Sequence, residues 1–131
     1  MSPTGKWLAF ASDESGRSEV YVRPFPTASD PKRRWQVSQG GGGMPRWRAD
    51  GNELYFLTAG GRMLQVGVRG LGTNFEFDPP KMLFPTLANP ANWNSFDVTP
   101  DGQHFLLNLP LEWPRSLPIT VVTNWTGRLK E

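Results

Sequence analysis

Few side chains in this sequence are equipped for chemistry. His104 is the single histidine, and Asp97, Asp101 and scattered serines are the groups that would complete a nucleophile–base–acid set with it. Such a triad needs a base aimed at an exposed nucleophile, and the Gly-x-Ser-x-Gly elbow does not occur; "SGRSEV" at 15–20 is only a loop leading into a strand. His104 stands beside a turn glycine at the head of an apolar run, so it reads as a surface turn residue, and no catalytic residue is assigned. One histidine, no cysteine and no close carboxylate cluster offer no metal ligand set. "GGGG" at 40–43 lacks the lysine and following helix of a phosphate loop and reads as a flexible link between strands, so no cofactor is assigned.

Binding is the better-supported chemistry. "PKRRWQ" at 31–36 sets three cations beside an aromatic ring, a pattern that suits phosphate and base contacts. A net charge of +2, with basic residues spread along the chain, gives too weak a field to make nucleic acid or an anionic membrane the default partner. The cations read as solvated loop residues and Trp35 as the start of an outer strand. "PLEWPRSLP" (110–118) and "TLANPANW" (86–93) place Trp113, Arg115, Trp93, Asn89 and Asn92 in proline-stiffened loops, the composition of a protein-binding surface. Arg17, in "DESGRS" (13–18), joins that candidate set. The competing reading folds Trp93 and Trp113 back over sheet ends. The absence of cysteine leaves compartment open, and neither a signal segment nor eighteen consecutive apolar residues is present.

The elements that must carry these loops repeat three times. "SPTGKWLAFAS" (2–12), "RADGNELYFLT" (48–58) and "TPDGQHFLLNL" (99–109) share a turn, a glycine, polar residues and an apolar run. The turn glycines Gly5, Gly51 and Gly102 lie 46 and 51 residues apart, a spacing typical of stacked structural repeats. Proline presets the second turn position, Asp50 and Asp101 suit the third as turn-capping residues, and glycine takes the left-handed fourth. The runs "WLAF" (7–10), "LYFL" (54–57) and "FLL" (105–107) are apolar at successive positions, which predicts strands buried on both faces. "EVYV" (19–22), "MLQVGV" (63–68) and "ITVV" (119–122) supply the next strand of each unit. "RWQVS" (34–38) and "KMLFPT" (81–86) supply a last one, and "MPRW" (44–47) and "NSFDV" (94–98) a first. Labelling the strands a to d, the chain carries b-c-d, a-b-c-d and a-b-c. An all-β fold of about three four-stranded antiparallel units, the terminal two incomplete, is a segment of a β-propeller. It is a single domain over 1–131, with blade one at 2–42, blade two at 43–94 and blade three at 95–131.

"MPRWRADGNELYFLT" resembles the repeat of TolB-like, or WD40-like, β-propellers, with Pro45, Trp47, Asp50, Gly51 and Thr58 on that family's pattern. Thr99, Pro100, Asp101 and Gly102 match it in the third unit, and Ser2, Pro3, Gly5, Lys6 and Ser12 in the first. The ending "ITVVTNWTGRLKE" resembles the C-terminus of propellers attached to bacterial serine/threonine kinases and similar signalling proteins. The resemblance implies a non-catalytic interaction or sensor module, a fragment of a larger bacterial protein. Two alternatives stay open: the substrate-gating propeller of a prolyl-oligopeptidase-like hydrolase, and an isolated half-propeller that self-assembles. Six blades are usual in the family, so three per chain imply a head-to-tail homodimer closing a ring, with Trp7 and Phe10 of one copy near Phe105, Leu107, Val121 and Trp125 of the other.

Overall fold

The computed structural model describes residues 1–26, 32–69, 74–90, 95–109 and 119–122. Among them there are ten strands and no helix: β1 (Trp7–Ser12), β2 (Glu19–Pro24), β3 (Trp35–Gln36), β4 (Gly43–Trp47), β5 (Glu53–Leu57), β6 (Arg62–Gly67), β7 (Lys81–Pro85), β8 (Phe96–Val98), β9 (Phe105–Asn108) and β10 (Ile119–Val122). They form three antiparallel sheets, ordered β1-β2-β3, β4-β5-β6-β7 and β8-β9-β10. Each strand falls on one of the apolar runs between glycine and proline breakers, and each sheet is a meander of sequence neighbours.

The three repeat turns have one geometry. Gly5, Gly51 and Gly102 lie at φ 72°, 77° and 72°, where a side chain is strained. Their N–H groups donate to the carbonyls of Ser2 (2.9 Å), Arg48 (2.9 Å) and Thr99 (2.8 Å). The same first residues then close the hairpin, donating to the carbonyls of Trp7 (2.7 Å), Glu53 (2.9 Å) and His104 (2.9 Å). Asp50 and Asp101 each accept from the N–H two residues on, Asn52 and Gln103, at 2.9 Å. In every turn the first side chain also meets the third: Ser2 with Thr4, Arg48 with Asp50, Thr99 with Asp101.

Packing occurs at two junctions. Between the first and second sheets lie Trp7, Val20, Val22 and Val37 against Leu54, Phe56 and Val66, sealed by Phe75. Phe75 sits 5.3 Å from Trp7 and 5.4 Å from Trp35, ring centre to ring centre. Between the second and third lie Tyr55, Leu57, Met63 and Phe84 against Phe96, Phe105 and Leu107, with Tyr55 edge-on to Phe105 at 5.1 Å. β5 thus sends Leu54 and Phe56 one way and Tyr55 and Leu57 the other, all fully buried. Burial on both faces does not extend to the equivalent strands: β9 alternates between buried and exposed residues, and β1 is half-buried after Trp7. Those strands belong to sheets with a neighbour on one side only among the described residues.

Successive turns also touch. A Cβ on Gly51 would lie 3.5 Å from Pro3 Cδ, whereas one on Gly102 would lie 2.5 Å from Tyr55 Oη and 2.8 Å from Arg48 Cδ; at Gly5 it would meet nothing. Alanine at Gly5 or Gly51 therefore carries only the left-handed backbone cost of about 1–2 kcal/mol. At Gly102 it adds overpacking worth roughly 1–3 kcal/mol more. Urea midpoints should rank Gly5→Ala and Gly51→Ala together and Gly102→Ala clearly below; three equal losses would show that the turns do not pack on one another.

Candidate binding face

The connections β1–β2 (13–18), β5–β6 (58–61) and the links 37–42 and 86–90 converge on one rim. They enclose a cleft of about 310 Å³ lined by Arg17, Ser18, Gly40, Gly41, Ala59 and Asn89. A neighbouring recess of about 360 Å³ shares Ala59, Asn89 and Pro90 and adds Thr86 and Leu87. Of the candidate binding residues the structure thus brings Arg17 and Asn89 together. Asn92, Trp93, Trp113 and Arg115 lie outside the described residues, as does Trp125.

Arg17 stays 65% exposed while its Nε donates to Glu19 at 2.8 Å. Glu19, which sequence reasoning passed over, is 1% exposed and organises the rim from below. Its carboxylate accepts from Ser38 Oγ, from Gly41 N–H at 3.0 Å and from Arg17. Ser38 Oγ in turn accepts from Val20 N–H at 2.8 Å. Ser18 and Gly42 exchange a further pair of bonds, N–H of Gly42 to the Ser18 carbonyl at 2.9 Å and Ser18 Oγ to the Gly42 carbonyl at 3.0 Å. The glycine run read as a flexible link is therefore a shaped connection clamped by a buried carboxylate. Gly40 and Gly41 have φ 88° and 103°, and a Cβ on Gly42 would stand 2.9 Å from the Phe56 ring. The visible signals were an acid at the head of an apolar strand and glycines whose bare amides can approach it.

The candidates for other chemistry are placed as surface groups. His104 is exposed in its turn, and Asp97 Oδ1 accepts from the N–H of Val98 at 2.9 Å. Among the described residues no three histidine or carboxylate side chains converge. Arg33 lies over the Trp35 ring at 5.3 Å and Arg34 over the Tyr21 ring at 4.7 Å, with Arg34 also paired to Glu14 at 2.6 Å. Arg33 thus covers Trp35, which packs at the junction with the second sheet, and Arg34 covers Tyr21 on the other face of the first sheet.

At the other end of the strands a second charged set ties turn to sheet. Arg48 bonds Asp50 at 2.6 Å and Glu53 at 2.9 Å, and Tyr55 Oη donates to Glu53. The Arg48 bond lowers the Asp50 carboxyl to about 2, and burial pushes the Tyr55 hydroxyl well up.

The residues named for a second-copy contact need correction. Trp7 packs against the second sheet, and Phe105 and Leu107 also face it from the third, so all three are consumed inside the chain. Strand parity places Leu8 and Phe10 on the free side of the first sheet, with Arg23 over the Phe10 ring at 5.4 Å. Leu106, 45% exposed, is on the free side of the third.

Comparison with known families and with characterised proteins finds no match to this chain. What the chain defines on its own is an all-β array of three antiparallel sheets with a loop cleft at one rim.

Burial pushes the Glu19 carboxyl up, but bonds from Ser38, Arg17 and Gly41 outweigh it and hold it below its ordinary value. A depressed carboxyl stabilises the fold above its ordinary range and loses that contribution as pH falls through the folded value. Glu19→Gln, with one acceptor oxygen in place of two, should cost roughly 1–3 kcal/mol at pH 7. The gap to the wild type should close as the pH falls below the ordinary carboxylate range and Glu19 protonates. Thermal melting from neutral to acid pH checks this; a gap that stays constant would show that the charge is not what the donors hold.

Proposed function

We propose that the three sheets are consecutive blades of a β-propeller array and that the chain is a non-catalytic interaction or sensor module. In support, the same turn opens each unit and the sheets meet face to face through their second strands. TolB-like repeats share that turn motif, which is the reason for placing the module in a larger bacterial signalling protein.

The observation that carries the binding reading is the convergence of the connecting loops on one cleft. Arg17 presents an exposed guanidinium there on a buried carboxylate, and Asn89 faces it from a proline-bounded loop. A charged group fixed from beneath and an adaptable amide above an ordered backbone suit recognition of a protein loop or peptide. Interaction modules on repeat scaffolds use such rims because loops vary while the sheets hold them in place.

Quantitative affinity capture from bacterial extract tests this reading, with wild type compared against Arg17→Ala/Asn89→Ala and against Lys81→Ala on an outer strand. One enriched protein should disappear with the rim variant alone, whose circular dichroism stays that of the wild type although loss of the Arg17–Glu19 bond lowers its melting temperature; identical enrichment on all three would refute the rim as the binding face. Self-association belongs to the same proposal, through free sheet faces that carry Phe10 and Leu106. Light scattering at micromolar concentration should read twice 14.7 kDa, reverting to 14.7 kDa in Leu106→Asp. A well-folded wild-type monomer would remove the dimer from the proposal.

A further inference from the structure

Aspartate followed by glycine occurs twice in the sequence, at Asp50–Gly51 and Asp101–Gly102, and asparagine followed by glycine nowhere. Both pairs fall in the repeat turn, whose third position in the first unit is Thr4 and carries no carboxyl. Such a link is open to self-attack, because a bare glycine lets its backbone nitrogen swing onto the side-chain Cγ of the aspartate. The N–Cγ bond forms, the amide proton leaves with the carboxyl OH as one water, and a succinimide ring results. Water then reopens the ring at either carbonyl. Opening at the former main-chain carbonyl leaves the chain running through Cγ, an isoaspartyl link with one extra backbone atom and unchanged composition.

The two turns are alike at the attacking nitrogen. Gly51 N–H donates to the Arg48 carbonyl at 2.9 Å and Gly102 N–H to the Thr99 carbonyl at 2.8 Å, so each gives up one bond before it can attack. They differ at the carboxyl, which has to be neutral at the oxygen that departs and polarised at the one that stays. At Asp50 a cation holds both oxygens: Oδ1 accepts from Arg48 Nε at 2.9 Å and Oδ2 from Arg48 Nη2 at 2.6 Å, with Asn52 N–H also on Oδ1. That pairing keeps the carboxyl at about 2, so its neutral form is more than tenfold scarcer than for an ordinary aspartic acid. At Asp101 both bonds fall on Oδ1, from Thr99 Oγ1–H at 2.5 Å and Gln103 N–H at 2.9 Å, and Oδ2 has no partner among the described residues. Thr99 and Gln103 lower this carboxyl as well, with a smaller pull from His104, yet no cation pairs with either oxygen. Two uncharged donors thus sit on Oδ1, where negative charge collects as the nitrogen adds to Cγ, while Oδ2 is left to take a proton and depart.

We propose that Asp101–Gly102 is a site of isoaspartate formation in the folded protein, and that the Arg48–Asp50 ion pair keeps its counterpart in the second turn inert. The product matters at the second junction. A Cβ on Gly102 would stand 2.5 Å from Tyr55 Oη and 2.8 Å from Arg48 Cδ, so an extra backbone atom ahead of that glycine has no room. Modification therefore loosens the third sheet from the second and leaves the junction of the first two intact.

The test ages the folded chain at about pH 5, counts isoaspartate by enzymatic methyl transfer, and locates it in the tryptic peptides 49–62 and 82–115. Residue 101 should convert about tenfold faster than residue 50. In urea, where neither turn exists, the two rates should converge. Exchanging the first residues of the turns should reverse the order, Thr99→Arg protecting Asp101 and Arg48→Thr exposing Asp50; Thr99→Arg alone decides if loss of Arg48 unsettles the second turn. Aged wild type should melt lower in proportion to its isoaspartate, and aged Thr99→Arg should not. Absence of isoaspartate at 101 in the folded chain, equal rates at the two sites, or a folded Thr99→Arg chain that converts at the wild-type rate would each overturn the assignment.

Discussion

The burial of β5 on both faces is the constraint on which the rest depends. Leu54 and Phe56 are solvent-free because the first sheet covers them, and Tyr55 and Leu57 because the third does. Neither neighbour is a large sheet, and neither could bury its own apolar face alone. Stability in such an array resides in the junctions rather than within any sheet, as for stacked repeats in general. The two junctions are filled differently. The first is closed by tryptophans and by Phe75 from the connection between β6 and β7, the second by phenylalanines and Tyr55. Each junction is therefore particular to its pair of sheets, which fixes their order along the chain.

Strand positions were legible because glycine at the fourth turn position and aromatic runs after it punctuate the chain at every unit. The left-handed φ of Gly51 is a local requirement, and local requirements show in sequence. Which way each side chain points was less legible. A run such as "WLAF" is apolar at every position, so it does not announce that Trp7 faces the second sheet and Phe10 the free side. Counting from the turn glycine would have supplied the parity: Ala9, Tyr55 and Leu106 each stand four residues after it and face the same way along the array. Phe75 was missed because it lies in a polar connection with no periodic pattern, and its role as a plug depends on tertiary packing.

The charged groups illustrate the same division. The Asp50 and Asp101 turns follow from residue type and spacing, since the acceptor and the amide it caps are two residues apart. The clamp of Glu19 on Gly41 spans 22 residues, and nothing within its own strand identifies it. A buried carboxylate with three donors is stable only if all three arrive, so it holds the link between the first two sheets to one conformation. The loop cleft inherits its shape from that requirement, because Gly40 to Gly42 form one of its walls.

The first and third residues of the repeat turn form a pair, and the chain holds three versions of it: two hydroxyls in Ser2 and Thr4, an ion pair in Arg48 and Asp50, and a hydroxyl with a carboxylate in Thr99 and Asp101. Each version satisfies the same backbone, yet the members are not interchangeable across versions. Arginine at the first position of the opening turn would face Thr4, which offers it no charge. When repeats of this kind multiply and diverge by duplication and recombination, the heritable unit is therefore the turn tetrapeptide. Its first and third residues would have to vary together as a coupled pair, ahead of a glycine common to all three turns.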